Sequence, residues 1–292
     1  MNIQTITIEQ RAEFLEKGFL VLPNALPANL LSTLQELIAE LNEEMLKSYT
    51  NSSPIPNASF IEEKDKPLLA RVNDLLGVYP EAVLELLASP IMMSIAKDLC
   101  GPDVVPLQCD VLFKHNHPQS FISWHQDAPH SRKFPYLNIG IYLDDADIGD
   151  GCVDYVPHSQ HEVQDIGKLT QKHGYTVPNR VSASVKAGDI LIQDMMVLHA
   201  SQVKRKEGIR RTIYVEMRPA AAILDQGVQS KEWAELRRRW MGIVKRRSTV
   251  IWPEDFLESL PQDLKSDEEE IKQILQHREP PIPANYGFPI ND

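Results

Sequence analysis

Residues 104–114, VVPLQCDVLFK, open the part of the chain that decides the fold. From there to Met217, short β-rich runs alternate with glycine, aspartate, asparagine and proline. Several short strands with turn residues between them favour a sandwich or barrel over an alternating α/β fold. The predicted strands are 104–114, 120–124, 136–143, 152–156, 181–185, 190–193 and 212–217.

Helical patterns flank this β-rich core on both sides. Thr7 and Gln10 have the spacing of a capping box and predict a helix over 8–17, which a short strand over 19–22 follows. Apolar residues at three- and four-residue steps predict further helices. These lie over 30–48, near 81–87 and 91–99, and over 231–247.

No linker rich in glycine, serine or proline separates the helical parts from the β core. We therefore expect one domain over 1–292, with mainly helical support over 1–103, a β core over 104–220 and a helical extension over 221–292.

The composition excludes several classes of protein. Lys and Arg number 30 against 41 Asp and Glu, a formal net charge of −11, so a nucleic-acid partner is not expected. No apolar run approaches the roughly 18 residues that a membrane span needs. The first ten residues lack the charged and apolar stretches of a signal peptide. We expect a cytoplasmic protein with neither nucleic-acid nor membrane partners.

The β core contains Trp124-His125-Gln126-Asp127. Residues two apart on a strand face the same side, so His125 and Asp127 are predicted to reach one metal ion. His-x-Asp alone is a common triplet and needs a third ligand to be informative. His199 supplies a candidate, since it ends the apolar stretch that follows Gly188-Asp189. Two histidines and a carboxylate, with other positions open, are the ligands of non-haem Fe(II) oxygenases.

Arg210 lies eleven residues after His199, just before the strand predicted over 212–217. A planar guanidinium is the natural bidentate partner of a carboxylate. A cosubstrate that chelates iron and carries a distal carboxylate needs such a clamp.

In their order and spacing, these motifs resemble the phytanoyl-CoA dioxygenase family of Fe(II)/2-oxoglutarate-dependent oxygenases. The resemblance covers most of the chain and begins with the helix, Gly-Phe and strand before Pro23. Its further motifs are Trp-His-Gln-Asp at 124–127, Leu-Asp-Asp-Ala at 143–146, Gly151-Cys152, Gly188-Asp189, His199-x-Ser201 and Arg210-Arg211.

The resemblance implies a fold that is mainly β with flanking α-helices, built on a double-stranded β-helix (a cupin-like jelly roll). It implies that His125, Asp127 and His199 are the iron ligands and catalytic residues. It implies that Arg210 binds the far carboxylate of 2-oxoglutarate, with Ser201 and Lys114 as further contacts. Arg211 is the alternative if the strand register slips by one residue.

The resemblance also implies the reaction. The enzyme would use Fe(II) as cofactor, with ascorbate as the reductant that maintains it. It would consume 2-oxoglutarate and O₂, hydroxylate an unactivated C–H of a small organic substrate, and release succinate and CO₂. Halogenating relatives replace the metal-binding carboxylate by a small residue, whereas Asp127 is present here. The alternative function is a jelly-roll metal-binding or ligand-binding module without oxygenase activity, and Arg210 argues against it. The protein is expected to act as a monomer or homodimer.

Other residues have competing interpretations. His158 stands where relatives often have a turn glycine, and His158 and His161 are interpreted as surface residues rather than substrate contacts. His115 and His117, despite their His-x-His spacing, are interpreted as structural or exposed. The loop 127–135 has two interpretations: it contacts an anionic substrate, or it is a solvent-exposed loop without a role in binding. The basic side of the helix over 231–247 is interpreted as solvated and paired with Glu268-Glu269-Glu270, rather than as a phosphate or nucleic-acid site.

Overall fold

The computed structural model describes residues 5–51, 57–63, 66–225, 227 and 229–286; the predicted outer parts over 1–4 and 287–292 lie outside these ranges. Its core is two antiparallel sheets. The strands are β1 Phe19–Leu22, β2 Ala58–Ile61, β3 Leu68–Val72, β4 Val104–Lys114, β5 Ile122–Gln126, β6 Leu137–Tyr142, β7 Val153–Val156, β8 Val181–Ala183, β9 Ile190–Asp194, β10 Leu198–Ser201, β11 Arg210–Pro219 and β12 Asn285–Tyr286.

The large sheet has the order β1-β9-β6-β11-β4-β3-β2, and the small sheet has the order β12-β5-β10-β7-β8. Neighbours in each sheet are mostly distant in sequence, as in a jelly roll. The predicted fold class, a double-stranded β-helix with flanking helices, is confirmed.

Helices flank the two sheets. They are α1 Ile8–Lys17, α2 Ala28–Thr50, α3 Leu75–Val78, α4 Pro80–Ala88, α5 Pro90–Ile95, α6 Ile166–His173, α7 Ala220–Asp225, α8 Lys231–Arg247, α9 Glu254–Ser259 and α10 Asp267–Gln276. Of these, α6 contacts β5 and β12 of the small sheet. None of the helices within the described ranges combines the length and apolar character that crossing a membrane requires.

The two faces of the large sheet differ in character. On β11, Ile213 and Val215 are buried in the main apolar cluster together with residues of α2, α4 and α8. Tyr214 and Glu216 alternate with them and line a cavity on the opposite face. The alternation along the strand therefore separates a structural core from a chemically varied interior.

Local signals predicted several elements without error. The helix over 8–17, with its Thr7–Gln10 capping box, and the elements over 19–22, 104–114 and 231–247 have the predicted bounds. The strand predicted over 120–124 lies at Ile122–Gln126 instead, because Pro118–Ser120 forms a 3₁₀ turn. No individual helix or strand was predicted at β2, β3, β10, β12, α3, α6, α7, α9 or α10.

The basic helix α8 corrects one prediction. Arg237 and Arg239 are only 3% and 9% exposed, so the prediction of a solvated basic face is wrong for them. Arg237 lies over the Trp233 ring at 3.9 Å. Arg239 pairs with the buried Glu270 at 2.6 Å, which confirms the predicted acidic partner at that position. These arginines attach the C-terminal helices to the core.

Candidate active site

The small sheet brings the three predicted metal ligands together. His125 on β5 and His199 on β10 are direct cross-strand partners, and Asp127 follows the end of β5. The Nε2 atoms of both histidines lie 3.6 Å from the Asp127 carboxylate. One ligand atom from each residue lies within 4.8 Å of the other two, a spacing that a single metal ion can bridge.

Backbone contacts fix both imidazole rings for metal binding. Nδ1 lies 2.8 Å from the Ser123 carbonyl in His125 and 2.9 Å from the Val197 carbonyl in His199. An Nδ1–H that donates to these carbonyls leaves the Nε2 lone pairs for a metal. Burial, reinforced by the charge of His125, lowers the pKa of His199 to about 4, so this ring is neutral at pH 7. The donor set fits Fe(II) with open coordination positions.

Two further residues approach the triad that the sequence analysis did not identify. The Gln193 Nε2 lies 3.1 Å from the His199 Nε2 and 3.4 Å from an Asp127 oxygen. The Tyr155 hydroxyl donates to the Gln193 Oε1 at 2.6 Å. A glutamine within the otherwise apolar run Ile190–Gln193 was the available signal, because a buried amide in a core strand needs partners.

A cavity of about 270 Å³ joins the triad to the interior face of the large sheet. Both sheets line it, and Arg210 and Ser201 belong to its wall. The triad and the predicted cosubstrate clamp therefore open into the same space.

Two buried basic side chains lie next to each other where Arg210 lines this cavity. Lys114 and Arg210 are cross-strand partners on β4 and β11, and each is 2% exposed. The Lys114 ammonium donates to the Ser120 carbonyl at 2.6 Å and to the Ser201 hydroxyl at 2.9 Å. The Arg210 guanidinium donates to the Gly151 carbonyl, and its buried Nε has no partner.

Within the described ranges, no carboxylate forms an ion pair with either Lys114 or Arg210. Like charges directly opposite in a sheet repel each other, and buried charges normally have partners. This pair is therefore suited to a bound anion.

The neighbouring arginine has a different environment. Arg211 donates to both oxygens of Asp144 at 2.8 Å and to the Gln35 carbonyl at 2.9 Å. These contacts turn it toward α2, away from the cavity that Arg210 lines. Its guanidinium is already bound bidentately to a carboxylate.

Gly151 gives the first testable prediction. Its φ of +77° favours glycine, and a Cβ there would lie 2.7 Å from the Lys114 Cε and 2.8 Å from the Gln202 carbonyl. We expect Gly151→Ala to displace Lys114 and weaken 2-oxoglutarate binding, measured by calorimetry. Gly149→Ala is the matched control, since Gly149 has φ +79° and open space around its Cβ position. Equal binding by the two variants would contradict this prediction.

Lys114 predicts a dependence on pH. Burial lowers its pKa from 10.5 to about 7, and Arg210 acts in the same direction. Between pH 7 and 10.5 the folded protein thus binds fewer protons than the unfolded chain, so its stability rises with pH there. An anion bound at Lys114 opposes this by favouring the charged amine.

We expect the melting temperature to rise more steeply from pH 7 to 9.5 in the wild type than in Lys114→Met, and 2-oxoglutarate to reduce that difference. Parallel melting curves for the two proteins across this range would contradict the assignment of the lowered pKa to Lys114.

The other histidines lie away from the triad. His115 is buried with its Nε2 2.6 Å from the Leu69 carbonyl, and His117 pairs with Glu63 at 2.9 Å. His158 and His161 are exposed, and His158 has a φ of +68°, the conformation that a turn glycine adopts easily. These positions agree with their interpretation as structural or surface residues.

The loop after the metal motif lines another space. Arg132 donates to the Ala128 carbonyl and lies 4.1 Å over the Tyr136 ring. With His130 and Asp194 it lines a separate cavity of about 230 Å³. Neither Arg132 nor His130 lines the cavity that contains the triad.

Fold and site together define a dioxygenase that depends on Fe(II) and 2-oxoglutarate. The model of the phytanoyl-CoA dioxygenase (PhyH) family matches residues 14–212, and the chain belongs to this family. Family membership makes the chain an enzyme rather than a ligand-binding module, the alternative that the sequence had left open.

Solved structures with the same fold support the architecture. AviO1 from Streptomyces viridochromogenes Tue57 is 24% identical, with a TM-score of 0.61 over 74% of this chain and 96% of AviO1. HygX from Streptomyces hygroscopicus with nickel and 2-oxoglutarate bound is 19% identical, with a TM-score of 0.58 over 74% and 88%. EctD from S. alaskensis with 2-oxoglutarate and 5-hydroxyectoine is 16% identical, with a TM-score of 0.60 over 76% and 79%. Comparison with the curated proteins gives no significant match.

Proposed function

We propose that this enzyme hydroxylates an unactivated C–H of a small organic molecule and converts 2-oxoglutarate and O₂ to succinate and CO₂. The convergence of His125, Asp127 and His199 carries the proposal. HygX and EctD, which share the fold, have structures with 2-oxoglutarate bound. The iron, when bound, supplies the activation of O₂, which amino-acid side chains do not provide.

The side chains around the triad have distinct roles in this proposal. His125 and His199 would hold the metal through Nε2, because their Nδ1 atoms are engaged by backbone carbonyls. Asp127 would complete the ligand set, and its presence favours hydroxylation over halogenation. Gln193, held by Tyr155, would orient the Asp127 carboxylate by donating to it.

The buried cations would bind the cosubstrate. Arg210 would bind the far carboxylate of 2-oxoglutarate, with Lys114 and Ser201 beside it. This carboxylate would neutralise two facing cations and receive charge-assisted hydrogen bonds in a site removed from water. The contacts of Arg211 with Asp144 favour Arg210 as the clamp.

Reconstitution tests this function. Protein loaded anaerobically with Fe(II) is expected to bind 2-oxoglutarate, to melt at a higher temperature with it, and to form succinate slowly in air. Ascorbate is expected to sustain this turnover. If 2-oxoglutarate neither binds nor raises the melting temperature, the proposal fails.

We further propose that residues 1–292 act as one dioxygenase domain, as a monomer or homodimer in the cytoplasm. One apolar cluster extends from Phe14 on α1 to Ile274 on α10, which supports a single folding unit. Light scattering during gel filtration tests the oligomeric state, and a single cooperative melting transition tests the domain assignment.

A further inference from the structure

A row of polar side chains crosses the cavity face of the large sheet. Gln108 on β4, Glu216 on β11, Asn138 on β6 and Gln193 on β9 are successive cross-strand partners. All four line the cavity that contains the triad. The row reaches the triad through Gln193, whose amide lies 3.1 Å from the His199 Nε2. Arg210 is six residues from Glu216 along β11, or roughly 20 Å, so the row and the clamp are well separated.

The Glu216 carboxylate has no hydrogen bond from any residue in the described ranges. Its one ion pair, with the Arg218 Nη2, spans 3.8 Å, and its side chain is 17% exposed. The cross-strand neighbour Asn138 has a buried Oδ1 without a partner. Burial raises the pKa of Glu216 to about 7, against the opposing charge of Arg218. The Asn138 oxygen thus lacks the hydrogen bond that a buried polar atom normally makes, and the adjacent Glu216 carboxylate faces the cavity without one.

The next acidic residue in the cavity differs in this respect. Asp110 accepts a hydrogen bond from the Asp74 backbone amide at 2.9 Å and pairs with Arg71 at 2.5 Å. Of the two carboxylates that the large sheet contributes to the cavity, the fold therefore satisfies Asp110 internally and leaves Glu216 open to the cavity.

We propose that Gln108, Glu216 and Asn138 form the substrate subsite, and that the substrate is a compact polar molecule rich in O–H or N–H donors, such as a polyol or an amino-polyol. The carboxylate accepts such donors, and the flanking amides both donate and accept. A long acyl chain would bury these groups without partners, which is costly. The proposal rests on the function above in placing the oxidised carbon near the triad and in letting the substrate share the cavity with 2-oxoglutarate.

The size of the cavity supports a compact substrate. Its volume of about 270 Å³ must hold the cosubstrate as well as the reacting part of the substrate. Small-molecule sites commonly measure about 300–1,000 Å³. An extended acyl chain would have to leave this space, whereas a single polar ring is closer to its dimensions.

Binding measurements on the Ni(II)-loaded protein test the subsite. The probes are glucose and myo-inositol for hydroxyl donors, glucosamine for an ammonium donor, and octanoyl-CoA for an acyl chain. We expect at least one polar probe to bind the wild type and Glu216→Gln to weaken it about 10- to 100-fold, since one charge-assisted hydrogen bond is lost. Asn138→Ala is expected to weaken it less. Glu235→Gln, at an exposed position on α8, is the control and should bind like the wild type.

Three results would overturn the subsite: no polar probe binds, polar binding is unchanged in Glu216→Gln, or octanoyl-CoA binds both proteins equally well. The affinity for 2-oxoglutarate is measured in the same samples and is expected to be equal in wild type and Glu216→Gln. If the wild type does not bind 2-oxoglutarate, the proposed oxygenase function is wrong. The subsite is tested separately, by the binding of the polar probes.

Discussion

Replacement of His199 by alanine is expected to abolish succinate formation and to weaken Ni(II) or Fe(II) binding about 100-fold or more. Loss of an outer partner of a metal ligand already costs about 10- to 100-fold, so loss of a ligand should cost at least as much. His199 is one of the three candidate ligand groups of the triad. Burial lowers its pKa to about 4 and keeps the ring neutral, and the contact of its Nδ1 with the Val197 carbonyl orients the ring. Calorimetry with Ni(II) and a succinate assay with Fe(II) measure the two effects.

His161→Ala is a suitable control because His161 is exposed and outside the triad. His199→Gln provides a second test that keeps a polar side chain at the position and limits the damage to packing. If a folded His199→Ala protein binds metal and forms succinate like the wild type, the ligand assignment is wrong.

The second large effect concerns the clamp. Arg210→Ala is expected to weaken 2-oxoglutarate binding by about 2–4 kcal/mol, since it removes one partner of a buried charge pair. This corresponds to roughly a 30- to 1,000-fold loss of affinity. Metal binding should persist, because none of the three ligand groups is altered. Calorimetric titration of 2-oxoglutarate into the Ni(II)-loaded variant measures the change.

Arg211→Ala is the matched control for the clamp, since it removes the same side chain from the next residue of β11. It breaks the contacts with Asp144 and with the Gln35 carbonyl, so we expect a lower melting temperature with nearly normal 2-oxoglutarate affinity. The reverse result, with Arg211→Ala losing the cosubstrate and Arg210→Ala retaining it, would move the clamp to Arg211. Arg210→Lys keeps the charge, so its affinity for 2-oxoglutarate should lie between those of Arg210→Ala and Arg211→Ala.

Features with a local cause were predictable from the sequence. The capping box at Thr7 and the β-rich run over 104–114 each determine a short element through neighbouring residues. Period-two geometry placed His125 and Asp127 within reach of one ion, and their 3.6 Å contact agrees with it. The assignment of His199 as third ligand and of Arg210 as clamp needed the motif order of a family, because no local rule brings His199 opposite His125.

Features that depend on strand pairing were not predictable in this way. Gln193 lies beside Asn138 because β9 pairs with β6, and Glu216 meets Asn138 because β6 pairs with β11. The chain separates these partners by tens of residues, and periodicity contains no information about pairing. The burial of Arg237 has a similar origin, since its guanidinium contacts the carbonyls of Leu107 and Ile274.

The short strand Asn285–Tyr286 places a side chain from the C-terminal part of the chain in the wall of the cavity. It pairs with β5, and the Tyr286 ring stacks on His125 with a centroid distance of 4.8 Å and an angle of 14°. Tyr286 thus forms part of the cavity wall. It lies in a segment outside residues 14–212, which are the residues that the family model matches. Replacing this segment would change the cavity wall beside His125 without altering the three candidate ligands or Arg210, so the cavity wall can vary independently of them.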